Sequence, residues 1–247
     1  MEEIIQGDNQ QYTDCYIAFL DLLGFKNVIS RKCCADILKT FKKIRLPIEG
    51  VYMGTGTGWE PIIDNDLVKQ VKIKIISDSI CFYIDASIPN SFCVLLAVCL
   101  MFQVQMAQLD EPVLMRGGIV RGELYAEGDI TFGPGLTKAY LLEEKCAKTP
   151  RIIITGDVLE KAWEETDIKC RKIIHDYVYR DEDAFYILNY LGMLSHGPKG
   201  LAPAQYFYDY VIKILNSEID PSVREKYLYL EKYMKIILKA ENGQVIE

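Results

Sequence analysis

Between Val71 and Asp85 the chain alternates apolar and polar residues with a period of two, broken only at Ser77-Asp78-Ser79. Val71, Ile73 and Ile75 share one face and Lys72 and Lys74 the other; Ile80, Phe82 and Ile84 then resume opposite Cys81, Tyr83 and Asp85. Two half-buried strands meeting at a short polar turn make a hairpin. Ahead of it, Cys15-Tyr-Ile-Ala-Phe-Leu20 is a short apolar run of the kind that forms a buried strand. Cys34, Ile37, Leu38, Phe41 and Ile44 follow at helical spacing, and Pro47 stops that helix. After the hairpin, Asn90 or Ser91 is placed to cap a strongly apolar helix that runs to about Gln108. A β-like segment over 113–125 comes next, and residues 136–148 read as a helix. Arg151-Ile-Ile-Ile-Thr155 reads as a strand, 156–165 as a helix and 172–190 as one or two further strands. The order β-α-β-β-α-β predicts an α+β fold with a ferredoxin-like (split βαβ) core, an antiparallel sheet flanked by helices. Beyond it, Asp220-Pro221 opens a helix whose stripe of Val223, Tyr227, Leu230, Met234 and Ile237 packs on the main domain or on a partner chain.

Charge and cysteine usage narrow the function classes. Lys and Arg total 28 against 35 Asp and Glu, a net charge of −7. A diffuse acidic excess argues against binding nucleic acid or an anionic membrane, because phosphate-rich surfaces are held by clustered cations. The longest apolar run, 92–102, is about half of what spans a bilayer. The eight cysteines form no C-x-x-C pair, and neither His175 nor His196 stands at metal-ligand spacing from one. Reduced, buried cysteines in a cytoplasmic protein are the expectation, and the acidic Met1-Glu-Glu start without an apolar stretch agrees. Gly54-Thr-Gly-Thr-Gly58 is neither a P-loop nor a dinucleotide fingerprint and reads as a loop.

Two carboxylates carry the chemical interest. Asp21 ends the first strand, in Phe19-Leu-Asp-Leu-Leu-Gly-Phe25, and Asp78 stands in the hairpin turn. A split βαβ sheet brings the first strand beside the hairpin, so both acids can meet at one edge. Facing carboxylates repel unless a cation lies between them, and Mg²⁺ or Mn²⁺ suits such oxygen ligands together with substrate phosphates. Gly24 sits in a strand-to-helix turn, where backbone N–H groups can approach a phosphate. The plainer alternative makes Asp21 a helix cap and Asp78 an ordinary turn residue.

Phe19-Leu-Asp-Leu-Leu-Gly-Phe-Lys26 resembles the opening motif of the class III nucleotide cyclases. Ile75-Ile-Ser-Asp-Ser-Ile-Cys81 resembles their second metal motif, with Ser77 where glycine is usual, and Arg116-Gly-Gly-Ile-Val-Arg-Gly122 resembles a third. The resemblance runs in order over about residues 14–190. Arg116-Gly-Gly-Ile, Phe132-Gly-Pro-Gly-Leu-Thr-Lys-Ala-Tyr-Leu-Leu-Glu143 and Ala147-Lys-Thr-Pro-Arg-Ile-Ile-Ile154 look most like the bacterial pyrimidine cyclases of Pycsar antiphage defence. Asp181-Glu-Asp-Ala-Phe-Tyr-Ile-Leu-Asn-Tyr190 and Arg224-Glu-Lys-Tyr-Leu-Tyr-Leu-Glu-Lys-Tyr233 fit that branch as well.

The resemblance implies a tail at 1–13, a cyclase domain over 14–200 and a helical extension over 201–247. It implies conversion of UTP, in preference to CTP, to the 3′,5′-cyclic monophosphate, which a separate effector reads. Asp21, Asp78 and the Leu22 carbonyl would bind two Mn²⁺ or Mg²⁺ ions, and the backbone of Leu23, Gly24 and Phe25 would cradle phosphates. A two-fold homodimer with shared sites follows, in which Lys138 and Tyr140 face the partner's substrate. Two departures qualify the match. Thr137 and Leu141 stand where adenylyl and guanylyl cyclases carry a transition-state Asn and Arg, leaving Lys138, Lys145, Arg116 and Arg121 as substitute cations. Lys74 stands where adenylyl cyclases carry a base-reading Lys, and otherwise is the polar face of a strand. The alternatives are an adenylyl or guanylyl cyclase and an inactive, cyclase-like nucleotide-binding dimer.

Overall fold

The computed structural model describes residues 11–25, 30, 33–39, 42, 65–196 and 201–241. Its frame is β1 (Thr13–Leu22), the apolar run seen in the sequence, which pairs antiparallel on one edge with β3 (Ser79–Asp85) and on the other with β4 (Met115–Glu127). Strand β2 (Lys72–Ile76) completes the hairpin with β3, and β5 (Ile130–Phe132) folds back on β4. Strands β6 (Ile152–Ile154), β7 (Val178–Arg180) and β8 (Tyr186–Leu188) extend the sheet, giving the order β2-β3-β1-β4-β6-β8-β7.

The β2-β3-β1-β4 core is antiparallel as expected, and the sheet departs from that only beyond it, where β6 runs parallel to β4. A helix, α3 (Pro134–Cys146), crosses over between those strands, and a strand–helix–strand connection of this kind returns the chain in the same direction. The sheet is mixed.

Around it lie α1 (Asn65–Val68), α2 (Ser91–Ala107), α4 (Gly156–Glu165), α5 (Ile168–Tyr177), α6 (Tyr190–His196), α7 (Ala202–Leu215) and α8 (Pro221–Glu241). Helix α2 is apolar all round because it is buried all round, packed on a sheet face made of Tyr16, Ala18, Leu20, Ile80, Phe82 and Ile84. Leu230, Met234 and Ile237 of the α8 stripe join this same core, with Phe207, Val211 and Leu215 of α7. Among the described residues no helix is long and apolar enough to cross a membrane.

Several local expectations change. Residues 172–177, the first part of the stretch expected as strand, belong instead to α5, because Asp167 caps that helix by accepting from the Lys169 and Cys170 N–H groups at 2.9 and 2.8 Å. Asn90 does not cap α2: its backbone is left-handed (φ 61°) and its side chain instead exchanges hydrogen bonds with Asp167. Cys33 and Cys34 are exposed, and only Cys15, Cys81, Cys93, Cys99 and Cys170 are buried. Residues 34–39 are helical, but Ile37 alone of that part of the stripe reaches the core, since Leu38 is 52% exposed. Phe41, Ile44 and the 54–58 glycine loop lie outside the described residues.

Helix α3 lies on the second sheet face, over Cys15, Ile17, Cys81, Val120 and Leu124. It sits close because β4 and α3 meet glycine to glycine. A Cβ at Gly122 would come within 2.8 Å of the Gly135 Cα, and one at Gly135 within 2.8 Å of the Gly122 carbonyl carbon. Backbone atoms cannot step aside as a side-chain tip can. Gly122→Ala is therefore expected to cost about 1–3 kcal/mol by overpacking, read as a fall in thermal midpoint on the order of 5 °C.

Candidate functional site

The site grows from the last residues of β1. Asp21 lies opposite Ser79 of β3 and opposite Arg116 of β4. Just beyond, the Leu22 N–H donates to the Asp78 carbonyl at 3.0 Å, fastening the β2–β3 turn to the end of β1. That turn holds Ser77 at φ 58°, a left-handed conformation that favours glycine. The two acids singled out in the sequence are thereby brought together, near enough that the Asp78 charge acts on Asp21.

Electrostatics at Asp21 reflect this crowding. Burial raises its carboxyl above the ordinary aspartate value, the Arg116 guanidinium opposes that rise, and the Asp78 charge adds to it. The Arg116 Nε–H donates to Asp21 Oδ2 at 3.2 Å, and Arg116 Nη1 donates to the Ala147 carbonyl at the end of α3, at 3.3 Å. Glu143 of α3 closes the group. Its Oε1 is 2.7 Å from the same Nε, and its side chain is 4% exposed. That oxygen accepts no hydrogen bond, because the single Nε–H is aimed at Asp21, so the pair is held by charge. Burial lifts the Glu143 carboxyl to about 7, with Arg116 opposing and the Asp21 charge reinforcing.

The strand-to-helix turn leaves less backbone for a phosphate than the sequence suggests. Leu22 N–H is spent on Asp78, and Leu23 N–H donates to the Leu114 carbonyl at 2.8 Å. Gly24 follows at φ +81°, and a Cβ there would meet nothing within 4 Å, so backbone conformation and not space demands glycine. Phe25 is buried in the main core.

The remaining sequence candidates divide. Lys74 sits opposite Cys81, which sits opposite Phe19, two residues before Asp21, so all lie on one sheet face. Its ammonium donates to the Gly128 carbonyl in the β4–β5 turn. Tyr140 meets the Phe19 ring edge-on at 5.7 Å between centroids and is 43% exposed, while the charge of Glu144 raises its hydroxyl. Lys138 lies apart in an exposed ion pair with Asp157, at 3.5 Å. Arg121 is corrected as a substitute cation. It points to the far end of the sheet, where Asp14 and Glu165 hold it and Tyr16 stacks beneath it. A pocket of about 250 Å³ lined by Tyr16, Asn90, Phe92, Glu165 and Thr166 lies at that same far end.

Two residues escaped the sequence reading. Glu143 carries a faint signal: Gly135, Ala139 and Glu143 form the buried stripe of α3, and a carboxylate in a buried stripe is out of place. Lys226 of α8 acts electrostatically on Asp21 although about two hundred residues separate them, and no local pattern marks it. Among the described residues no group of three or more His, Cys, Asp or Glu is arranged to hold a metal.

No protein-family model matches the chain, and no curated protein does. Solved structures do. The catalytic core of a rhodopsin-guanylyl cyclase with converted specificity, in complex with ATPαS, is 16% identical with a TM-score of 0.50, over 72% of this chain and 96% of that one. The fold is that of a class III nucleotide cyclase core. The adenylyl cyclase CyaB from P. aeruginosa is 13% identical with a TM-score of 0.47, over 72% of this chain and 94% of that one.

The raised Glu143 carboxyl has a thermodynamic signature. A carboxyl raised from the ordinary 4.5 to about 7 means that the folded chain binds more protons than the unfolded chain between those values. Stability therefore falls as pH rises through that window. Glu143→Gln is expected to flatten this part of the fall in a plot of thermal midpoint against pH.

Proposed function

We propose that the chain is a nucleotide cyclase dependent on divalent metal, acting on a pyrimidine triphosphate, UTP in preference to CTP. The observation that carries this reading is the convergence of Asp21 and Asp78 at the end of β1, on a cyclase-type sheet. A buried carboxylate at Asp21 that the Asp78 charge destabilises suits Mn²⁺ or Mg²⁺, and the likeness to the cyclases adds the Leu22 carbonyl as a further ligand. Asp21 and Asp78 would hold two such ions per site, which when bound would supply a lowered pKa at the ribose 3′-hydroxyl and positive charge for the triphosphate.

The chain's own groups supply position and charge. In the reaction the 3′-oxygen forms a bond to the α-phosphorus while the bond to pyrophosphate breaks, so negative charge grows on the leaving group. Arg116 is ion-paired with Asp21 and offsets that charge in the role that Leu141 cannot fill. Lys226 adds to the positive field from α8. The Gly24 turn approaches phosphate, and Tyr140 and Lys138, both exposed on α3, face the substrate of a second subunit in a two-fold dimer.

Pyrimidine preference rests on the likeness of the Arg116-Gly-Gly-Ile, 132–143 and 147–154 segments to the Pycsar cyclases, and with it comes a role in antiphage signalling through a separate effector. One observation favours a purine instead. Lys74 shares the sheet face of Asp21, where adenylyl cyclases read their base, and the solved neighbour holds an ATP analogue.

Turnover of ATP, GTP, CTP and UTP with Mn²⁺, with products identified by mass spectrometry, tests this reading. Cyclic UMP is the expected main product; cyclic AMP or GMP as the main product supports the purine reading, and no cyclic product from any triphosphate supports an inactive homologue. Asp21→Ala and Asp78→Ala are each expected to lower the rate at least about a hundredfold with the fold intact by circular dichroism.

A further inference from the structure

Arg116 faces two carboxylates with one N–H. Its Nε–H is aimed at Asp21 Oδ2 at 3.2 Å, while Glu143 Oε1, 2.7 Å from the same nitrogen, is buried and accepts nothing. An unpaired acceptor in such a place is rare, since buried polar atoms nearly always have partners. Its position beside an arginine already bound elsewhere indicates which donor it is built to receive.

A cation on Asp21 changes the balance. The ion repels the guanidinium and takes the carboxylate that held it, leaving the Nε–H without an acceptor. Glu143 Oε1 is within reach of that N–H by a small re-aiming, and the Nη1 contact to Ala147 anchors the other edge of the guanidinium to the same helix. We propose that Glu143 is a positioning residue that receives Arg116 when Asp21 takes up a divalent cation. The guanidinium then works as a two-position counter-ion, on Asp21 before the cation arrives and on Glu143 afterwards. This rests on the reading of Asp21 and Asp78 as cation ligands.

Two consequences follow. Glu143 strengthens cation binding by accommodating the displaced arginine, acting through Arg116 and not as a ligand of the cation. It also keeps Arg116 beside the phosphate site in the loaded state, where a freed arginine would swing to solvent.

The test is Mn²⁺ binding to the whole protein without nucleotide, followed by the electron paramagnetic resonance of free Mn²⁺ in alkaline buffer. Wild type binds Mn²⁺, and Asp21→Asn weakens binding by at least about tenfold. Glu143→Gln weakens it about three- to tenfold, and in an Arg116→Gln background the same change has less than about a twofold effect, because the residue acts through Arg116. Glu143→Asp keeps the charge but withdraws it from Arg116, and it too weakens binding. Equal losses from Glu143→Gln with and without Arg116, or wild-type binding in both Glu143 variants, overturn the proposal while leaving the metal site intact. Absence of Mn²⁺ binding by wild type, or binding unchanged in Asp21→Asn, overturns both the proposal and the site reading. Melting curves show that each variant is folded, and Glu143→Asp decides the matter where Glu143→Gln is not.

Discussion

A strand with sheet partners on both edges and an apolar core on each face cannot slip, because a shift by one residue would exchange the faces and unpair both ladders. β1 is held in this way, between β3 and β4 and between the α2 and α3 layers. Everything at the candidate site is referred to it. Its register sets Asp21 opposite Arg116, and its last N–H pins the turn that carries Asp78. A site assembled from three strands thus inherits its precision from the most constrained element in the fold, as tight positioning of charged groups requires.

The charges at this point are frustrated in a productive sense. Asp21 and Glu143 share one arginine, the Asp78 charge acts on Asp21 beside it, and burial raises both Asp21 and Glu143. Such crowding contributes little to stability, since desolvation of ions offsets much of their attraction. It does make the region receptive to added positive charge. The contrast with Arg121 at the opposite end of β1 is instructive. There Asp14, Glu165 and the Tyr16 hydroxyl surround the arginine with hydrogen bonds, and both Glu165 and the guanidinium are stabilised in their charged forms. One arginine closes a network and the other leaves one open.

Period and composition made the central sheet legible. The alternation over 71–85 became β2 and β3, the run over 15–20 became β1, and the α8 stripe found the main core. Legibility failed where signals were short or distant. β6 falls inside the strand read over 151–155, and β7 and β8 fall inside the strands read over 172–190, but three residues each are too few for a period to fix their bounds. Ile173, Ile174 and Tyr177 favoured a strand by composition, and only the Asp167 cap reveals a helix. Parallel pairing of β6 with β4 is a property of the crossover and is written in no single residue. At the site, Asp21 and Asp78 were recognisable from their turns, whereas Arg116's attachment to Glu143 depends on how α3 docks on β4.

That docking carries a consequence for how the chain can vary. Gly122 and Gly135 touch backbone to backbone, so the separation of β4 from α3 is set by main-chain thickness and not by compressible side chains. Arg116 rides on one of these elements and Glu143 on the other. Their spacing is therefore a hard dimension, like the throw of a hinge bolted at one end, and a larger residue at either glycine would lengthen it at once. Drift at positions 122 and 135 is tied to the ion pair several residues away, and a lineage that loses either glycine must rebuild the pairing from residues of different reach.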